Sequence, residues 1–293
     1  MRGTFAAALV GLSTFISAPA NAAHEMIYAV DTGNNLINFW SDTPGNIIDS
    51  YNLQGLQNNE EARGIDFWNG TIYLLGSSSR LYTVNPIGGL ATQVGGPGSF
   101  SPLLSGQTFG VDNGPTGLQV VSGLGGGQNL LVDRATGTVP GGTAGTSLHY
   151  VAGDVYFGQS PRVDALAYDG VTGKWYAGDT FQNSFALFTP GTGALSTLNN
   201  TGNNMGIDAS RFNGTDISPF TGIMYMGTPQ ASGDPQANLY TIDKTTGFAS
   251  LVWQIGQPGD NYLIRGLTVV PEPSSVALLA LGAFGLFFAR RRQ

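Results

Sequence analysis

The chain has 293 residues, of which 44 are glycine and none is cysteine, and its 19 acidic and 12 basic residues give a formal net charge of −7. Long helices are disfavoured, because each glycine costs a helix interior about 1 kcal/mol, and collagen is excluded because the glycines have no three-residue period. The lack of cysteine excludes disulfides, thiolate metal sites and a cysteine nucleophile, and an acidic chain with so few cations is not expected to bind nucleic acid.

The first 22 residues have the pattern of a secretory signal peptide. Arg2 supplies a positive start, residues 5–16 are mostly apolar, and the small residues Ala20 and Ala22 form a cleavage site. We therefore predict that residues 1–22 are removed during export.

Residues 23–270 consist of short segments rich in Val, Ile, Tyr, Phe and Thr, separated by Gly, Asn and Asp, which predict strands and turns. Two features recur about every 50 residues along this body. One is a strand that opens with Gly or Ala, at Gly64-Ile65-Asp66, Gly110-Val111-Asp112, Ala165-Leu166-Ala167, Gly206-Ile207-Asp208 and Gly266-Leu267-Thr268. The other is a turn glycine after a later strand, at Gly45, Gly89, Gly137, Gly193 and Gly247.

A unit of about four short strands that repeats at this length is typical of a β-propeller blade. The last opening strand has no second strand after it, and the first apolar pair, Ile27-Tyr28, has no opening strand before it. Pairing these two segments completes a blade and removes an open sheet edge. The sequence therefore predicts an all-β propeller of five four-stranded blades, closed by its N- and C-terminal strands, with a β-sandwich or solenoid as the alternative architecture.

Residues 146–161 do not fit the repeat, although they contain apolar segments such as His149-Tyr150-Val151. Two interpretations remain open for them. They form either a hairpin insertion or part of a degenerate sixth blade.

The segment 271–293 has three parts. They are, in order, Pro271, Glu272 and Pro273, then the uncharged residues 276–289, then Arg290, Arg291 and Arg292. The apolar part is short for roughly 30 Å of hydrocarbon, but terminal arginines can extend to the membrane interface. We expect a short transmembrane helix with the arginines in the cytoplasm and the body outside.

This tail resembles the PEP-CTERM sorting signal of Gram-negative bacteria in its motif, the order of its parts and its position. The resemblance implies recognition by an exosortase, a membrane cysteine protease that processes the tail near Pro-Glu-Pro. It also implies a host that makes exopolysaccharide, and a final location in the cell envelope, on the outer surface or in the extracellular matrix.

The body resembles a family of secreted bacterial proteins classed as domain of unknown function 4394. The segments that carry this resemblance are residues 27–30, 64–67, 80–85, 239–243 and 264–267. The resemblance implies an exported domain of this fold and names no activity.

The sequence offers few catalytic groups. Its two histidines, His24 and His149, are isolated and do not form a zinc motif, and a G-x-S-x-G nucleophile elbow is absent. The glycine run at 123–127 lacks the Lys-Ser/Thr of a phosphate-binding loop. Aromatic residues such as Trp40, Tyr51 and Trp68 would either stack on sugars or pack between blades.

Three carboxylates occupy one position of the repeat: Asp66, Asp112 and Asp208 each follow an opening glycine by two residues. If these strands are innermost, alternation directs the three side chains toward the axis, opposite to their neighbours. A ring of carboxylates would suit Ca²⁺ or hold a water for hydrolysis, as in propeller lactonases and esterases. Alternatively, each Asp accepts hydrogen bonds from turn N–H groups of its own blade, or pairs with Arg63 and Arg265.

Two functions follow as hypotheses. The first is a non-catalytic, exported propeller that binds a glycan, such as exopolysaccharide, or an envelope protein. The alternative is a metal-dependent hydrolase with Asp66, Asp112 and Asp208 around an axial cation.

Overall fold

The computed structural model describes residues 24–123, 127–231 and 236–270. Within these ranges, 20 short β-strands form five sheets, and the helical segments are two single 3-10 turns, Pro140–Gly142 and Leu198–Asn200. The predicted signal peptide and sorting tail lie outside the described residues.

The sheets follow one another along the chain. The first contains β1 (Met26–Asp31), β2 (Asn35–Trp40) and β3 (Ile47–Asn52). The second contains β4 (Ala62–Trp68), β5 (Thr71–Gly76), β6 (Arg80–Val84) and β7 (Ala91–Gln93). The third contains β8 (Gly110–Gly114), β9 (Gly117–Ser122) and β10 (Gln128–Val132). The fourth contains β11 (His149–Tyr150), β12 (Val163–Asp169), β13 (Lys174–Asp179), β14 (Ser184–Thr189) and β15 (Ala194–Thr197). The fifth contains β16 (Gly214–Ile217), β17 (Met224–Thr228), β18 (Asn238–Ile242) and β19 (Ala249–Gln254). The last strand, β20 (Ile264–Val270), returns to the first sheet.

These sheets are the five blades of a β-propeller, which confirms the predicted fold. The innermost strands β20, β4, β8, β12 and β16 contact one another in turn and close a ring. Strand alternation gives every blade two apolar faces, and a separate hydrophobic cluster fills each of the five spaces between neighbouring blades. Ile27 and Ala29 face the fifth blade, for example, whereas Val30 faces the second.

The ring is closed by pairing of the two ends of the body. Strand β20 is antiparallel to β1, with Ile27 opposite Val269 and Tyr28 opposite Thr268. The predicted closure is therefore confirmed, and the described part of residues 24–270 forms a complete ring.

Three details differ from the sequence prediction. The innermost strand of the fifth blade begins at Gly214 rather than Gly206, which lies in the preceding loop with a φ of 69°. The third blade has three strands. The segment 146–161 adds the short strand β11, parallel to β15, to the outer edge of the fourth blade and does not build a sixth blade.

Within the described ranges, no helix has the length and apolar character needed to cross a membrane.

Glycine lies at or near the start of four of the five inner strands, and at Gly110, Gly214 and Gly266 the backbone of the neighbouring strand comes very close. A Cβ atom at Gly214 would lie 2.3 Å from the backbone nitrogen of Leu267, and one at Gly266 would lie 2.6 Å from that of Ile65. Atoms cannot approach so closely, so the spacing of the inner strands depends on the missing side chain.

Replacing Gly214 by alanine is expected to force neighbouring inner strands apart and to cost about 3 kcal/mol or more. For a domain of this size, that corresponds to a melting temperature lower by roughly 10 °C, measured by circular dichroism on residues 24–270. Gly191→Ala is the matched control, because no atom lies within 4 Å of a Cβ at that position. Equal melting temperatures for the two variants would contradict close packing at the axis.

Candidate functional site

A ring of five equivalent positions surrounds the axis, one on each inner strand. Thr268, Asp66, Asp112, Ala167 and Asp216 occupy these positions, and all five side chains are buried. One carboxylate oxygen from each aspartate lies within 4.8 Å of the others. We call these five residues the axial ring.

The polar members of the axial ring bind the backbone of the next blade. In each case the donor is the N–H group that follows the ring residue of that blade. The four bonds run from Asn113 to Asp66 (2.8 Å), from Tyr168 to Asp112 (2.7 Å), from Val269 to Asp216 (2.7 Å) and from Phe67 to Thr268 (2.9 Å). One alternative from the sequence, hydrogen bonds from turn N–H groups of the same blade, is wrong for these donors, because the closely spaced inner strands bring the next blade within reach.

Thr268 also connects two of the carboxyl groups. Its hydroxyl oxygen lies 3.1 Å from Asp66 Oδ1 and 2.9 Å from Asp216 Oδ2. A hydroxyl has one proton to donate, so both contacts are hydrogen bonds only if one of these carboxyl groups is itself protonated.

The electrostatics favour such protonation. Burial raises the pKa of Asp66 to about 6. Burial, followed by repulsion from the neighbouring ring carboxylates, raises the pKa of Asp112 well above its usual range, and burial with repulsion from Asp66 does the same for Asp216.

Two of the three predicted ring aspartates, Asp66 and Asp112, come together, whereas Asp208 does not join them. Asp208 is exposed in the loop before β16, where it accepts a hydrogen bond of 3.2 Å from Asn183. Its place is taken by Asp216, because the fifth inner strand begins at Gly214. The signal was present in the sequence, since Gly214-Thr215-Asp216 has the same spacing as the other two sites.

The arginines that precede the opening glycines do not pair with the axial ring. Arg63 and Arg265 both bind Glu61, at 3.1 and 2.8 Å. The ring carboxyl groups therefore hold their negative charge, when ionised, without a cationic partner among the described residues.

The ring matches a calcium site in spacing but less well in number. Calcium–oxygen distances of about 2.3–2.6 Å place oxygens on opposite sides of the ion about 5 Å apart, which agrees with the 4.8 Å spread of the carboxylates. Calcium prefers six to eight oxygen ligands, however, and each ring carboxyl already accepts a backbone N–H bond. The geometry therefore favours a structural role for these carboxyl groups, in which each holds the backbone of the next blade.

A second site, not foreseen from the sequence, is a cleft of about 610 Å³ between the third, fourth and fifth blades. It opens on the face where the inner strands begin. Its polar and aromatic lining includes Arg162, Thr180, Phe181, Asp208, Ser210 and Arg211. These residues come from three separate loops, so no local sequence pattern unites them.

The remaining candidates are held by ordinary contacts. His24 stacks on Trp40, with ring centroids 4.1 Å apart, and lies 3.0 Å from Asp42. His149 is exposed at the outer edge of the fourth blade. The guanidinium of Arg134 covers Trp68 at 4.6 Å. None of these contacts forms a nucleophile–base pair.

The free energy of unfolding should fall as pH rises from 5 to 8. Burial raises the pKa of the axial-ring carboxyl groups, so they stabilise the fold while protonated and oppose it once ionised. Each pKa unit corresponds to about 1.4 kcal/mol, so we expect the melting temperature to fall by roughly 5 °C or more. Asp66→Asn retains an acceptor oxygen without the charge and should flatten this dependence. Asp208→Asn, which removes an exposed charge, should leave it intact, and identical pH profiles for both variants would refute the role of the ring.

Two family models match the sequence. One, described as "Domain of unknown function (DUF4394)", covers residues 35–268, and the other, described as "PEP-CTERM protein-sorting motif", covers residues 269–292. No curated protein matches the chain.

Solved structures give weaker likenesses. The crystal structure of Myxococcus xanthus glutaminyl cyclase is 12% identical and matches over 84% of this chain and 95% of that protein, with a TM-score of 0.41. YCF48 bound to D1 peptide is 11% identical and matches over 78% of this chain and 66% of that one, with a TM-score of 0.39. Neither score supports an argument about function. The family model, in contrast, spans well over half of the sequence, and the chain belongs to the DUF4394 family and ends in a PEP-CTERM sorting motif.

Proposed function

We propose that this protein is an exported, non-catalytic propeller of the cell envelope or extracellular matrix that binds a glycan or an envelope protein. The observation that carries the proposal is the cleft, where guanidinium, aromatic and hydroxyl groups from neighbouring blades line one cavity. Such a mixture of a few polar groups and an apolar surface is typical of binding sites.

The sorting motif supports the location. It supports export to the cell envelope or surface, and it implies processing by an exosortase. In this proposal a signal peptide over residues 1–22 starts export, and the segment 271–293 anchors the protein transiently in the inner membrane before processing.

The axial ring supports a non-catalytic role. Asp66, Asp112 and Asp216 are nearly inaccessible to solvent, and each uses an oxygen to hold the next blade. A substrate that reached these carboxyl groups would have to break hydrogen bonds on which the ring depends.

The test is retention of purified residues 24–270 on exopolysaccharide and envelope fractions isolated from the source organism. We expect saturable retention of the folded protein, with a heat-denatured sample and an unrelated acidic protein as controls. Absence of retention on both fractions would refute the proposed binding role.

A second candidate function is a calcium-dependent hydrolase at the axial ring, favoured by the 4.8 Å spread of Asp66, Asp112 and Asp216. Bound calcium would stabilise the native state by mass action, so calcium should raise the melting temperature at pH 8 and Asp112→Asn should abolish the increase. Elemental analysis that finds no metal, together with a melting temperature unchanged by calcium, would exclude this candidate.

A further inference from the structure

The cleft contains two guanidinium groups without an acidic partner. Arg162 and Arg211 are exposed, and among the described residues neither forms an ion pair. Each lies against a ring instead: Arg162 is 4.0 Å from the centroid of Phe181, and Arg211 is 5.2 Å from that of Phe212. These contacts place both charges beside aromatic faces, which attract them.

Further positive charge lies behind this wall. The guanidinium of Arg265 is 6.0 Å from the same Phe212 ring that Arg211 covers. Arg63 belongs to the same group, because it shares Glu61 with Arg265 and donates a hydrogen bond of 2.9 Å to the carbonyl oxygen of Gln107. Gln107 directly precedes Thr108, which lines the cleft.

The acidic groups of the cleft do not cancel these charges. Asp208 is exposed, whereas Asp164 is buried, and burial raises the pKa of Asp164 well above the usual range. Among the described residues, two arginines on the cleft wall and two behind it thus stand against one exposed carboxylate in the cleft, Asp208, and Glu61 behind it. The buried Asp179 lies beside the wall and accepts a hydrogen bond of 2.8 Å from the backbone N–H of Arg162. The excess of positive charge here contrasts with the composition of residues 23–270 as a whole. That range contains 8 basic and 18 acidic residues and has a net charge of −10.

The other groups on the cleft wall suit a carbohydrate. Phe181 is 61% exposed although Arg162 covers one side, so part of the ring remains open for stacking. Thr108 and Ser210 line the same cleft with hydroxyl groups, whereas the buried Thr180 donates its hydroxyl to Asp164 at 2.8 Å. A volume of about 610 Å³ falls within the range of small-ligand sites.

We propose that the cleft binds an anionic saccharide, a sugar chain with carboxylate groups, through Arg162 and Arg211 with Phe181 as the stacking surface. The planar guanidinium forms paired hydrogen bonds with a carboxylate, and the hydroxyl groups meet the sugar hydroxyls. This inference rests on the proposed binding function and assigns its ligand class and its residues.

Titration calorimetry on residues 24–270 tests the assignment with three probes of similar length: a galacturonate hexasaccharide, maltohexaose and hexaglutamate. We expect binding of the galacturonate probe and no binding of neutral maltohexaose. Affinity should weaken as ionic strength rises from about 0.01 M to about 0.15 M, because the screening length falls from about 30 to about 8 Å.

The variants assign the residues. Arg162→Gln and Arg211→Gln should each weaken galacturonate binding by about tenfold, the usual effect of losing a charge-assisted hydrogen bond, and Phe181→Ala should weaken it further. Lys174→Gln is the matched control, because this exposed lysine begins β13 at the end opposite Thr180. All four side chains are surface groups, and equal melting temperatures will show that the variants are folded.

The outcomes separate this inference from the proposed function. Unchanged galacturonate affinity in the double arginine variant, or no affinity in the unmodified protein, overturns the inference. If the unmodified protein is retained on the envelope or exopolysaccharide fraction but does not bind galacturonate, the proposed function stands and the anionic ligand class is wrong. Arginine-dependent binding of hexaglutamate as tight as that of galacturonate would replace the glycan by an acidic protein segment.

Discussion

The backbone N–H groups at the inner edge of each blade need hydrogen-bond acceptors. The rest of the structure depends on which groups supply them. An innermost strand pairs with one neighbour only, so the N–H groups on its axial side have no sheet partner. Burying such groups unpaired would cost a large part of the stability of a domain. The side chains of the axial ring accept four of these N–H groups from the blade next to them.

This solution requires glycine and carboxyl groups together. The glycines let inner strands approach closely enough for a short side chain to reach the next backbone, and aspartate supplies two acceptor oxygens. Desolvation and mutual repulsion oppose three carboxylates at one place, and the retained protons relieve both effects. Thr268 and Ala167 complete the ring without adding charge. The outer parts of the blades rely instead on the five apolar clusters.

Most of the fold could be predicted from the sequence because the blade repeat appears as local patterns that recur along the chain. Glycine positions and strand spacing were sufficient to predict five blades. They also predicted closure of the ring by pairing of the segments that contain Ile27 and Val269. The fifth inner strand was misplaced because two Gly-x-Asp triplets lie eight residues apart, at Gly206 and Gly214, and only pairing with Met224–Thr228 distinguishes them. The cleft could not be predicted for a different reason, since Arg162 and Phe181 of the fourth blade come to line one cavity with Arg211 only when the fifth blade packs beside them.

Closure by the last strand also sets an order of events. The blade that contains β1 is the first to leave the ribosome and the last to be completed, since β20 ends at Val270. Until then β1 has an unpaired inner edge, and such edges promote association with other chains. The propeller can therefore close only after almost the whole body has been synthesised, and the first blade keeps one unpaired edge until β20 is available.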